Sequence, residues 1–204
     1  MARQLSPERT DQILKGAMQR FLEQGYANTS VDDIAKASKV ARATIYNHFE
    51  SKEALFVALL QRLAGEKFKT ILELKVATGS PRVVLTQLVH RFLTLATESP
   101  DLQAFMRVII AESNRFPELA NTYITNIAKP GITALTDYFA QQPQLQVPDP
   151  EATARLLIGS MVYHVVLQEV LGAKGVMPFD PERLVTTVVD LIVSQFEVDG
   201  VSNT

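Results

Sequence analysis

TSVDDIAKASKVARATIYNHFESKEALF, residues Thr29 to Phe56, decides the fold. Val31, Ile34 and Ala35 follow a capping Thr29 or Ser30 at helical spacing, and predict a short helix from about Ser30. Ile45 and Phe49, one turn apart, predict a second short helix over about 42–49. Ser51 caps the next helix, which starts at Lys52. With Ile34, Ala35, Val40, Ile45 and Phe49 turned inward, the helix after the turn presents Arg42, Ala43, Thr44, Tyr46, Asn47 and His48 outward. A short, partly polar helix braced against another is how side chains are presented to the DNA major groove. Ala43 and Thr44 are small enough to admit base edges, and the Thr44 methyl suits thymine. Arg42 carries the donors to read guanine, and Asn47 the groups to read adenine. Tyr46 and His48 can reach phosphates. Thr29 and Lys52 stand at helix N-termini, where unpaired N–H groups attract phosphate.

The rest of the chain also reads as helices. Five starts carry a capping Ser or Asp followed by proline: Ser6-Pro7, Ser80-Pro81, Ser99-Pro100, Asp149-Pro150 and Asp180-Pro181. Proline loses nothing at the first helical position, where its N–H would be unpaired. The first helix runs from about Pro7 to Gln24 and stops at Gly25. The helix from Lys52 extends to about Ala77. Segments near 81–97, 100–114, 117–141, 149–172 and 180–197 follow, with a kink expected at Lys129-Pro130-Gly131 and a frayed tail from Val198. No segment alternates as a strand would. The expected fold is all-α, with about nine helices. Residues 1–51 form a three-helix DNA-binding domain with a helix-turn-helix, and 52–204 form a larger helical ligand-binding and dimerisation domain.

Composition agrees with this class. The chain has 204 residues, 47% hydrophobic and 21% charged, which is ordinary for a globular protein. It has no cysteine, so disulfides, thiolate metal sites and a cysteine nucleophile are excluded. The most apolar run, Leu156 to Leu167, contains His164 and falls short of the roughly 20 residues that span a bilayer. A soluble cytoplasmic protein with no membrane partner is expected. The formal net charge is −2. Through Lys52, eight Lys/Arg stand against six acids, while the remainder holds twelve against sixteen. A mildly basic head on an acidic body suits local phosphate contact. No HExxH, glycine-rich phosphate loop, GxSxG or metal-ligand cluster is present, so neither catalysis nor a cofactor is expected.

GYANTSVDDIAKAS (Gly25–Ser38) and RATIYNHFESKEALF (Arg42–Phe56) resemble the TetR family of bacterial one-component regulators. The tyrosine, the His48-Phe49 pair and the Ser-Lys-Glu helix start carry that resemblance. It implies a homodimeric repressor released from DNA by a small ligand in the C-terminal domain. It also implies DNA contacts at Thr29, Arg42, Thr44, Tyr46, Asn47, His48 and Lys52. Two residues depart from the family pattern: Lys39 where a turn glycine is usual, and Ala41 where a capping serine is frequent. Each departure costs about 1 kcal/mol, offset if Lys39 contacts a phosphate. AFMRVIIAESNRFPELANTY (Ala104–Tyr123) is similar to the AcrR/AefR-like branch, associated with efflux and stress control, which implies hydrophobic effectors.

LLIGSMVYHVVLQEVL (Leu156–Leu171) is apolar almost all round and needs cover on both faces. Leu156, Gly159, Ser160, Tyr163 and Leu167, with Leu184, Val188, Leu191 and Ile192 of the last helix, suggest a four-helix interface about a two-fold axis. Phe105, Met106, Phe116, Tyr123, Phe139, Met161, Tyr163 and His164 are candidates to line an effector cavity. The expected function is a repressor on a palindromic operator in double-stranded DNA. Effector binding would tilt the fourth helix through Ser51-Lys52-Glu53 and spoil the roughly 34–36 Å spacing of the two reading helices. A helical small-molecule sensor or carrier acting through protein contacts, or a DNA-binding activator, remains open.

Overall fold

The computed structural model describes residues 6–65 and 79–196. Among these residues the elements are helical: α1 (Pro7–Asn28), α2 (Val31–Ser38), α3 (Arg42–Tyr46), α4 (Lys52–Leu60), α5 (Pro81–Thr97), α6 (Pro100–Glu112), α7 (Pro117–Tyr123), α8 (Lys129–Gln141), α9 (Pro150–Val165) and α10 (Pro181–Phe196). Wide π-type turns prolong α4 over Gln61–Gly65 and α9 over Val166–Val170. Another, Ile124–Ala128, joins α7 to α8. That junction answers the expected Lys129-Pro130-Gly131 break. Pro130 offers no N–H to the preceding turn and its ring crowds it, so the helix widens just before it. The expected stretch of the fourth helix beyond 65, and the tail from Val198, lie outside the described residues.

The chain divides into two compact units, residues 1–66 with 101–126, and residues 67–100 with 127–204. The division therefore does not follow the boundary expected at Ser51. A head of about fifty residues has little core of its own. Phe105 of α6 is fully buried with its ring stacked on Phe56 of α4 at 4.7 Å, and Phe116 meets Tyr26 edge-on at 5.1 Å. Phe21, Tyr26 and Phe56 complete the aromatic cluster.

Caps and glycines fix the first unit locally. Ser6 accepts the Arg9 N–H, and Pro7 opens α1. Gly25 breaks the helical run with φ 79° and ψ 161°, a backbone that glycine adopts without strain. A Cβ there would also lie 2.6 Å from Glu112 Oε1. Gly16 of α1 lets α2 approach, because a Cβ at that position would stand 2.9 Å from both Cβ and backbone N of Ser38. Gly16→Ala is therefore expected to lower stability by about 1–3 kcal/mol, since α2 must move outward. Chemical denaturation with an unchanged midpoint would refute this packing argument.

The second unit is built on α5, α8, α9 and α10. Leu85, Val89, Leu135, Leu157, Val189 and Val193 are among the residues that close its core. Asp149 caps α9 by accepting the Ala152 N–H, and Asp180 accepts the Glu182 N–H at the start of α10. Ser80 makes no side-chain cap bond, so there the proline opens its helix without that help. No described helix is long and apolar enough to cross a membrane.

Candidate nucleic-acid interface

Helix α2 begins with a reciprocal cap. Ser30 Oγ accepts the Asp33 N–H at 3.2 Å, and Asp33 Oδ2 accepts the Ser30 N–H at 3.0 Å. Ser30's hydroxyl and amide hold the Asp33 carboxyl below its ordinary range. Ile34, Ala35 and Ser38 turn inward. The helix ends at Lys39 with φ 53° and ψ 36°. The Lys39 N–H reaches Lys36 O, and the Val40 N–H reaches Ala35 O, as in a left-handed helix stop of the Schellman type. Lys39 is the one non-glycine with positive φ among the described residues.

Helix α3 is shorter than the expected 42–49. It spans Arg42–Tyr46, and irregular turn bonds from His48 and Phe49 to Ile45 O complete the run. Its N-cap, Ala41, has no side-chain bond to offer. Both sequence departures therefore coincide with the conformations that penalise them. Lys39→Gly and Ala41→Ser are each expected to stabilise the protein by about 0.5–1 kcal/mol. Thermal unfolding is the check, and no gain in the pair together would count against it.

Ile45 is fully buried and anchors α3. Lys39, Arg42, Ala43, Tyr46 and Asn47 are exposed on the same short stretch, with Thr44 and His48 half-buried among them. The structure thus gathers seven of the nine expected DNA-facing residues. Arg42 Nη1 donates to Asp32 Oδ2 at 2.9 Å, and its guanidinium lies 5.3 Å from the Tyr46 ring centre. Asp32 was not among the expected interface residues; its partner lies ten residues ahead across a turn, and no local spacing announces the pair.

Thr29 and Lys52 stand apart from the exposed residues of α3, their side chains engaged with backbone carbonyls. Thr29 is buried, and its hydroxyl faces the carbonyls of Gly25 and Arg20 at 2.8 and 3.1 Å. It supports the end of α1 and does not present its side chain to solvent. The Lys52 ammonium also points inward. It donates to the backbone oxygens of Tyr26 (2.7 Å), Thr29 (3.0 Å) and Ala27 (3.4 Å), and sits 4.3 Å from the Tyr26 ring centre. Tyr26 Oη in turn donates to Glu53 Oε1 at 3.1 Å. Burial pushes the Lys52 pKa down, opposed by Glu53, Glu112 and Glu118. Burial, then the charge of Glu53, pushes Tyr26 up.

The eight expected effector residues do not gather in one unit. Phe105, Met106, Phe116 and Tyr123 belong to the first, and Phe139, Met161, Tyr163 and His164 to the second. Phe105 is core packing against Phe56, as Phe139 and Met161 are in the second core. Tyr163 is exposed on α9. The His164 and Phe179 rings meet in a T-shaped arrangement with centres 6.0 Å apart, and burial lowers the His164 pKa. Of the expected pairing residues, Leu156, Gly159, Tyr163 and Leu191 are exposed, and Ser160, Leu167, Leu184 and Val188 are half-buried. Ile192 is buried within its own unit's core, so it is corrected to a packing residue. No group of three or more His, Asp or Glu that could hold a metal occurs among the described residues.

A braced helix pair with an exposed basic, polar and aromatic face, in a chain whose described elements are helices, defines a helix-turn-helix DNA-binding regulator. Residues 13–59 match the family model for bacterial regulatory proteins of the tetR family. Residues 83–197, more than half of the chain, match that for the C-terminal domain of AefR-like transcriptional repressors. The chain belongs to the TetR family of transcriptional regulators. It is 44% identical over 66 residues to the repressor DhaR of Mycobacterium sp. (strain GP1), covering 32% of this chain and 33% of that one. It is 37% identical over 75 residues to the regulator YuxN of Bacillus subtilis, covering 37% and 26%. The chain thus spans only a quarter to a third of the length of these relatives. Among solved structures, the flavonoid-responsive regulator FrrA has a TM-score of 0.74 at 26% identity, over 96% of this chain and all of that one.

Proposed function

We propose that this protein is a homodimeric repressor that binds a palindromic operator and leaves it when a small hydrophobic ligand binds. The carrying observation is the exposed α2–turn–α3 face, where Arg42, Asn47 and Thr44 offer base-reading groups beside Lys39, Tyr46 and His48. In the division of labour we envisage, residues 1–51 read DNA and residues 52–204 bind effector and pair the subunits. The likeness to FrrA, a flavonoid-responsive regulator, favours an apolar effector with some polar groups. The family consists of regulators, not enzymes, and a cytoplasmic location follows from work on DNA.

Selection of bound duplexes from random DNA, followed by gel shifts across salt concentrations, tests this reading. A palindromic motif should emerge. Arg42→Ala should weaken binding to it about 5- to 150-fold, with a smaller effect on random DNA. Equal binding to all sequences by the unaltered protein would overturn the reading. Reporter expression in a deletion strain should rise; a fall would indicate an activator.

A further inference from the structure

Resting on the DNA-reading role of α3, we infer that Asp32 is a specificity-determining positioning residue that aims Arg42 at its base at the expense of general affinity for DNA. Asp32 lies in the first turn of α2, and its Oδ2 takes one Nη1–H of Arg42 at 2.9 Å. On the other side, one turn along α3, the Tyr46 ring centre stands 5.3 Å from the guanidinium carbon. The long side chain is thus held between a carboxylate from one helix and an aromatic face from the next.

Stability does not explain this arrangement. The side chains of Arg42 and Asp32 are 59% and 47% exposed, and exposed ion pairs contribute little to folding. Nor does the pair exhaust the guanidinium. Arginine has five N–H donors in a fixed fork, so its bonds to Asp32 and to the Tyr46 side chain still leave donors for O6 and N7 of guanine. A tethered arginine loses less rotational freedom on meeting its base, and it is less able to swing to a phosphate or a neighbouring base. The tether has an opposing effect. Asp32 places a negative charge beside the surface that meets the phosphates, and so weakens binding to every sequence alike.

The two effects have opposite signs, which a merely structural residue would not produce. The full-length protein and its Asp32→Ala, Asp32→Glu and Arg42→Ala variants would be measured on the selected operator, on operators substituted one base pair at a time, and on random duplex. Asp32→Ala should reduce discrimination at one base pair of each half-site roughly five- to tenfold. Its affinity for random duplex should stay level or tighten by up to about threefold. Asp32→Glu should restore part of the discrimination. In Arg42→Ala protein, adding Asp32→Ala should remove no further discrimination, because the tether then holds nothing. Wild-type discrimination at every position in Asp32→Ala would overturn the proposal. So would a parallel loss on operator and random DNA, which would mark a folding role. If the unaltered protein selects no sequence, the DNA-reading assignment itself fails, and that outcome is distinct from both.

Discussion

Lys52→Met lowers the melting temperature by roughly 4–8 °C and weakens operator binding, yet leaves the salt dependence of binding unchanged. This expected result follows from where the ammonium points. Its three N–H groups face three carbonyls at the end of α1, those of Tyr26, Ala27 and Thr29. Those oxygens lie at and just past the helix end that Gly25 opens, where Tyr26 O also takes the Thr29 N–H at 3.3 Å. A protonated amine has the three donors required and a neutral amine only two, so the geometry is that of the charged form. Hydrogen bonds from a charged donor contribute about 1.5–3 kcal/mol, and methionine keeps the stem while removing the donors. With Lys52 lost, the end of α1 loosens from the start of α4, and α2 and α3 lose part of their support. Arginine would not rescue it, because a planar fork cannot address three oxygens grouped around a compact ammonium. A lysine that neutralised a phosphate would instead lower the log–log salt slope by about one unit on removal. A slope change of that size in Lys52→Met would return Lys52 to the DNA surface.

The contrast between Lys52 and Lys39 shows which features of the interface are local enough to read. Lys39 lies at a turn whose ends are marked by buried positions on either side. The left-handed backbone there, with Ala41 as an empty cap, is what the departures from the resembled family's turn glycine and capping serine implied. Gly25 and the reciprocal Ser30–Asp33 cap are local in the same way. Lys52 looked like a helix-start lysine facing outward because its sequence neighbours say nothing about residues 26–29. Only the folded path of α1 brings those carbonyls within 2.7–3.4 Å. Asp32 and Arg42 were hidden for the same reason. The effector candidates fall in both units for a different reason. An aromatic at helical spacing shows that a face is buried, without showing which core buries it. Phe105 and Phe116 complete the unit that contains the reading head, whereas Phe139 completes the other. That is also why a boundary drawn at Ser51 does not match the compact units.

Leu156→Glu combined with Leu191→Glu converts the protein to a monomer at micromolar concentration and reduces operator affinity by at least about a hundredfold. The two residues lie on α9 and α10 of the same unit, 72% and 67% exposed, and Tyr163, two turns from Leu156, is 66% exposed. Gly159 lies between Leu156 and Tyr163, and an added Cβ there would meet nothing within 4 Å. The opposite side of α9 is fully used, since Leu157, Met161 and Val165 belong to the core. A helix with one apolar face packed and the other open suits a partner, and we propose that the large exposed leucines on neighbouring helices are where it binds. A two-fold axis makes each substitution count twice, so the double variant places four carboxylates in the contact, two from each subunit. The cores should be unaffected, because neither leucine is part of them, and helical circular dichroism should be retained. Loss of pairing then acts on DNA through effective concentration. Two linked heads engage two half-sites as one event, whereas separate heads must bind independently. Sedimentation velocity supplies the mass and a gel shift the affinity. A folded double variant that still sediments as a dimer would place the subunit contact elsewhere on the molecule. Loss of dimerisation without loss of operator affinity would mean that a single head suffices, contrary to the palindromic reading.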